Sequence, residues 1–245
     1  MTVRIVIPAR LQSVRLPRKP LQTIAGKPMI VRTFERCTQV FEPRDIVVAT
    51  DSPEIGSVCE AHGIDVAYTS GEHRTGTDRV AEVAGAGNAA TYINVQGDEP
   101  LFEPEDLRII ARAAAETPDV ILNGYCPIRD IDEHRSRSVP KVVFAPDGRL
   151  LYMSRAPIPG GKDPEAFQFG YRQVCAYAFP ARALAALRDH PEKTPLEAAE
   201  DIEILRFVEM GFEVRMLAMS DRSIPVDHPD DVLRVEAALR ERGED

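Results

Sequence analysis

Five cations crowd one short stretch of this chain. Arg10, Arg15, Arg18, Lys19 and Lys27 lie between an apolar run that stops at Pro8 and the proline at Pro28, and Gly26 is the only glycine among residues 5–28. Arginine offers a planar fork of donors to phosphate oxygens, and lysine offers a compact charge. Backbone N–H groups directly after a strand are fixed donors for the same anions. The stretch reads as a wrap for a triphosphate. The blander alternative is a solvated loop whose cations pair with surface acids, and the position straight after the first strand weighs against it. The stretch is not a Walker loop, because GxxxxGK[ST] is absent, and no GxGxxG marks a dinucleotide site.

Two aspartates stand at comparable places. Asp98 follows an apolar run in the turn QGDEP, and Asp227 sits in VDHPDD before the last helical segment. Each also suits a turn or helix cap. Their separation in sequence leaves open whether they meet. Nucleophilic catalysis has no support at Cys175 or Ser154, since neither shows an activating base nearby in the sequence. The four cysteines, Cys37, Cys59, Cys126 and Cys175, form no CxxC pair, so a zinc site is not expected.

These residues need elements to hold them. Val3–Ile7, Asp45–Thr50, Val66–Tyr68 and Thr91–Val95 read as short buried strands. Helices are expected at 28–40, 53–62, 77–84 and 104–116, with Gly63 ending the second. This alternation predicts an α/β fold with a mostly parallel, doubly wound sheet. Ligands collect beyond the carboxyl ends of such strands. The basic loop, Asp51 and Asp98 all stand there. After residue 118 the pattern changes to extended segments around a PDG turn, a polar loop at 159–170 and a strand at 172–180. A helix is expected over 194–209, opened by the capping-box pattern TPLE, then a strand at 213–219 and a helix at 229–242. The reading is one domain over 1–245, with an inserted antiparallel lobe at about 120–190.

The bulk numbers set limits. The 245 residues carry a formal net charge of −9, with 44% hydrophobic and 28% charged residues. The acidic balance argues against nucleic acid and anionic membranes as partners. No apolar stretch approaches a membrane span. The start runs into a strand rather than a leader's apolar core, so a cytoplasmic protein with reduced thiols is expected.

The motifs also fall in a familiar order. The opening IPAR…S.RLP.KPL..I.GKPMI, then HRTGTDR (73–79), NVQGDEP (94–100), KVV (141–143), LYMSRAPIP (151–159) and VDHPDD (226–231), resembles the 3-deoxy-manno-octulosonate cytidylyltransferase (CMP-Kdo synthetase) family nearly end to end. The resemblance implies a nucleotide-diphospho-sugar transferase-like fold. It implies transfer of CMP from CTP to an acidic acceptor, with release of pyrophosphate. It places Ala9, Arg10, Ser13, Arg15 and Lys19 around the nucleotide, together with Arg74, Thr75, Gly76 and Arg79. Lys19, Arg15 and Asp98 are the implied catalytic residues, and Asp98 and Asp227 the implied ligands of Mg²⁺. It also implies a homodimer.

The acceptor half departs from the family pattern. Gln96, Arg155, Tyr177 and Glu203 match, and Arg155 suits an acceptor carboxylate by forked pairing. Gln173 stands where the family shows histidine, and Ile204 where it shows glutamine. Arg18 and Arg74 replace a common glycine and glutamine, adding charge. A Kdo-like acid, including an 8-amino form, is the first expected acceptor. A small carboxylated phosphonate such as phosphonoformate is the second. A CTP-binding regulator without catalysis is the reading from another class.

Overall fold

The computed structural model describes residues 2–13, 15–163 and 166–244. In its first half, β1 (Val3–Pro8) leads through a short 3₁₀ turn at Lys19–Leu21 to a hairpin of β2 (Thr23–Ile24) and β3 (Lys27–Pro28). Then come α1 (Met29–Thr38), β4 (Ile46–Thr50), α2 (Pro53–Ala61), β5 (Val66–Tyr68), α3 (Gly76–Ala86), β6 (Thr91–Val95) and α4 (Pro104–Glu116). The second half holds β7 (Ile121–Pro127), α5 (Ile131–Arg135), β8 (Lys141–Phe144), β9 (Leu150–Ser154) and β10 (Tyr171–Pro180). It closes with α6 (Ala181–Asp189), α7 (Pro195–Glu200), α8 (Ile204–Glu209), β11 (Val214–Ala218) and α9 (Pro229–Arg242).

The main sheet has the order β11-β7-β10-β6-β1-β4-β5. Strands β6, β1, β4 and β5 run parallel, as do β7 and β11, while β10 is antiparallel to both neighbours. This is the mixed, mostly parallel sheet that the alternating pattern predicts. β4 and β6 are buried along their whole length, as strands covered by helices on both faces are, and apolar residues dominate both. One face packs α1, α2 and α4 over Ile5, Ile7, Val48 and Ile93; the other packs α3 and α6 over Val6, Tyr92 and Phe179. No helix among the described residues is long and apolar enough to cross a membrane.

The second half differs in detail from the sequence reading. β7 and β10 lie inside the main sheet, and β8 and β9 extend the same nine-stranded sheet beside them, β8 pairing with β10 and β9 with β8. α6 was not anticipated, although Ala183, Leu184 and Leu187 form its buried stripe. The single helix expected over 194–209 is two short ones. Asp201, with φ 52° in the left-handed region, breaks it. Buried Arg206 on α8 reaches back to buried Glu197 on α7 at 2.5 and 2.7 Å, and this paired charge folds the two helices against each other.

A third, smaller apolar cluster stands apart from the two main ones. It joins Leu16, Ile24 and Met29 to Leu101, Val226, Val235 and Leu239. Arg32 of α1 donates to the carbonyls of Ile24 and Ala25, and the Ala25 N–H donates to Glu236 of α9. The basic loop, the turn after β6 and the last helix are thereby one packed unit.

Candidate active site

The third cluster brings the two distant aspartates together. The Val226 N–H donates to the Asp98 carbonyl at 3.0 Å, so the segment holding Asp227 is stitched to the QGDEP turn. That turn nests against the end of β1. A Cβ on Gly97 would stand 2.9 Å from the Pro8 carbonyl oxygen, too close for any side chain. Lys19 Nζ then sits 2.5 Å from Asp98 Oδ2 and 3.0 Å from Asp227 Oδ1. Arg15 reaches the same Asp227 oxygen at 2.9 Å. Burial alone would lower the Lys19 ammonium, but Asp98 and Asp227 outweigh it and hold it above the ordinary lysine value.

The two carboxylates fit a divalent cation. Their oxygens converge on one cationic nitrogen, and their side chains stay 30% and 36% exposed, open to a ligand. Two carboxylates are fewer than a protein-only cage requires, so water and phosphate oxygens must complete the shell, as magnesium prefers.

The other predicted nucleotide residues stand along the same cleft, which has a volume of about 1710 Å³. Ala9, Arg10, Ser13, Arg74, Thr75, Gly76 and Arg79 all line it. Thr75 caps α3 through the Asp78 N–H, and Asp78 returns the bond to the Thr75 N–H. Gly76 lies beneath Gln96 and Pro8, whose side chains would be 3.3 Å from an added Cβ. Arg79 is turned inward: it is 4% exposed and bound to Asp51, Thr69 and the Ser70 carbonyl. Its charge holds the loop after β5 in place. The two added cations are paired at the surface, Arg18 with Glu54 at 2.6 Å and Arg74 with Glu192 at 2.8 Å.

The acceptor candidates line the same cleft. Gln173, Cys175 and Tyr177 alternate along β10, and Gln96 follows the neighbouring β6. Burial and the Cys175 and Glu203 charges hold the Tyr177 phenol well above its usual range. Glu203 accepts from both the N–H and the hydroxyl of Thr77. It therefore secures the start of α3 from beneath. Burial pushes its carboxyl up, and these bonds work against that shift. Arg155 donates to the carbonyls of Glu200, Arg137 and Asp201. Three of its five donors are so engaged, and Nη2 also stands 4.0 Å from the Asp201 carboxylate.

Two residues outside the cleft lining, with no site role in the sequence reading, hold Arg155 from behind. Glu200 accepts from Ser154 Oγ and the Arg155 N–H, and Lys141, with no exposed surface, donates to the carbonyls of Ser136 and Arg155. Lys141 lies in the KVV motif, which was the available signal; Glu200 had none, because its partners come from β9.

Comparison with known proteins identifies the family. The cytidylyltransferase family profile matches residues 4–217. A 3-deoxy-manno-octulosonate cytidylyltransferase of Polynucleobacter necessarius subsp. necessarius (strain STIR1) is 43% identical, covering 96% of this chain and 94% of its own. Its counterpart from Syntrophotalea carbinolica is 38% identical over 98% and 99%. A solved CMP:2-keto-3-deoxy-manno-octonic acid synthetase, complexed with CTP, superposes with a TM-score of 0.91 at 34% identity, covering 99% of this chain and 100% of its own. A 4-diphosphocytidyl-2C-methyl-D-erythritol synthase from Anaerococcus prevotii shares the fold alone, at 14% identity and a TM-score of 0.66. The chain belongs to the cytidylyltransferase family.

Proposed function

We propose that this chain transfers CMP from CTP to 3-deoxy-manno-octulosonate or a close relative of that acid, releasing pyrophosphate. The observation that carries the reading is the convergence of Lys19, Asp98 and Asp227 in a cleft that is also lined by Gln96, Arg155, Gln173 and Tyr177. The full-length likeness to relatives of that name supports the acceptor.

An acceptor hydroxyl oxygen attacks the α-phosphorus of CTP. A new O–P bond forms, the α–β bridging bond breaks, pyrophosphate leaves with the bond pair, and the hydroxyl proton passes to solvent. Lys19 and Arg15 offset the charge that gathers on the leaving pyrophosphate. Asp98 and Asp227 are the residues that would hold Mg²⁺, which supplies charge neutralisation at the phosphates and acidifies the attacking hydroxyl. Thr75 and Gly76 shape the nucleotide end, where a backbone free of Cβ admits close approach. Arg155, fixed by three carbonyls, offers its remaining donors to the acceptor carboxylate. Positioning of the two substrates supplies much of the rate.

A second copy of the chain is expected on the face around β8 and β9, where Leu151 and Phe169 are 51% and 58% exposed.

Incubation with CTP, Mg²⁺ and each of 3-deoxy-manno-octulosonate, its 8-amino form and phosphonoformate, with pyrophosphate measured, tests the reading. Turnover of either sugar acid supports it. Turnover of phosphonoformate alone, or of none of the three, defeats it.

A further inference from the structure

The replacement at Gln173 sets a hydrogen-bond polarity in the acceptor end of the cleft, and the backbone determines which polarity. The register of β10 against β7 shifts between Val174 and Tyr177. Such an irregularity interrupts the ladder and frees backbone carbonyls. Asn123 of β7 takes two of them. Its Nδ2 donates to the Val174 carbonyl at 3.0 Å and to the Ala176 carbonyl at 2.9 Å. The reverse orientation would set an amide oxygen against two carbonyl oxygens, so the Asn123 amide has one satisfactory placement. Its Oδ1 therefore faces Gln173.

That oxygen can only accept, which fixes the second amide as well. Gln173 Nε2 donates to Asn123 Oδ1 at 2.9 Å, and Gln173 is only 7% exposed, so its side chain has little freedom to turn. Gln173 Oε1 is left without a donor among the described residues. It is not one of the sealed, unpartnered polar atoms, and Gln173 lines the cleft. An accepting oxygen that opens into the cleft on an otherwise immobilised side chain is free to take a donor from a ligand in place of water. A histidine at this position could present either a donor or an acceptor, according to tautomer and charge. The glutamine, oriented through Asn123, presents an acceptor.

We propose that Gln173 is a specificity-determining residue whose Oε1 accepts from a single donor group on the acceptor substrate, either a hydroxyl or a protonated amine. The inference deepens the functional reading above and rests on it. Bulge, Asn123 and Gln173 act as one relay from backbone geometry to substrate choice. A site that pairs its buried polar groups with substrate donors rejects analogues lacking that donor.

The experiment measures kcat/KM by pyrophosphate release, using 3-deoxy-manno-octulosonate, its monodeoxy analogues at each other hydroxyl, and the matching amino analogues. With the wild-type protein, one monodeoxy analogue is expected to fall roughly 10- to 100-fold below the parent, and the amino analogue at that carbon to recover turnover. Q173M, close in volume, should lose a similar factor on the parent and be indifferent to that one deoxy change, with its affinity for CTP alone unaltered. A wild-type series in which no analogue falls more than about threefold overturns the proposal without any variant. So does a Q173M protein that ranks the analogues as the wild type does. Absence of wild-type turnover with the parent sugar and its amino forms defeats the functional reading itself, which separates that failure from this one.

Discussion

Lys19 Nζ lies 2.5 Å from Asp98 Oδ2, linking a loop that follows β1 to a turn that follows β6. Asp227 shares the same ammonium at 3.0 Å from the start of α9. The three residues come from three parts of the chain and meet at the carboxyl ends of neighbouring strands. Removing the ammonium by K19A should lower kcat by about 100- to 1000-fold, the scale for losing one preorganised donor to developing charge. D98A should do at least as much. Undiminished CMP transfer by either variant would refute the assignment.

A divalent cation held by Asp98 and Asp227 would compete with the Lys19 ammonium for the same two carboxylates. Mg²⁺ alone should therefore raise the melting temperature of K19M more than that of the wild type. Chelation should abolish turnover in the wild type, and re-addition of Mg²⁺ should restore it. Equal melting shifts in the two proteins would show that the carboxylates do not share a cation.

Glu203 anchors the start of α3. Its carboxylate takes the Thr77 N–H at 3.0 Å as well as the Thr77 hydroxyl. Loss of a comparable helix-start contact costs about 1 kcal/mol. E203A should raise the KM for CTP by roughly 3- to 10-fold, while E203Q, which keeps an accepting oxygen, should recover part of it. An E203A variant changed only in its KM for the acceptor would place Glu203 on the sugar instead.

Lys141 supplies a pH signature. Burial lowers its ammonium to about 8, with Arg155 and Arg137 adding to the shift and Glu200 opposing it. Below pH 8 the group is charged in both folded and unfolded chains, and the folded state bears the penalty in full. Between about 8 and the ordinary lysine value of 10.5 the unfolded chain holds more protons, so stability rises with pH. The wild type should gain stability relative to K141M across that window in urea titrations at stepped pH. A flat difference would mean that Lys141 titrates normally.

Much of the site was legible before folding was considered. Cations after an apolar run, QGDEP after another, and VDHPDD before a helix each marked a strand end or helix start through local physics. The parallel sheet followed from strand and helix periods alternating along the chain. α6 carried a readable stripe at Ala183, Leu184 and Leu187. The split of α7 from α8 was not readable, because it depends on Glu197 meeting Arg206 in the interior.

The sequence by itself determined the chemical groups and the strand ends on which they stand, since residue type and hydrophobic period are local properties. Tertiary structure alone decided which groups remain available. Arg79, Arg18 and Arg74 look alike as cations in sequence, yet Arg79 is buried on Asp51 while Arg18 and Arg74 stay exposed in surface pairs with Glu54 and Glu192. Gln173 looks like any polar residue on a strand, yet a register shift and Asn123 decide which end of its amide faces the cleft. The reason is that charge pairing and hydrogen-bond orientation are set by partners distant in sequence, and only the packed chain chooses those partners.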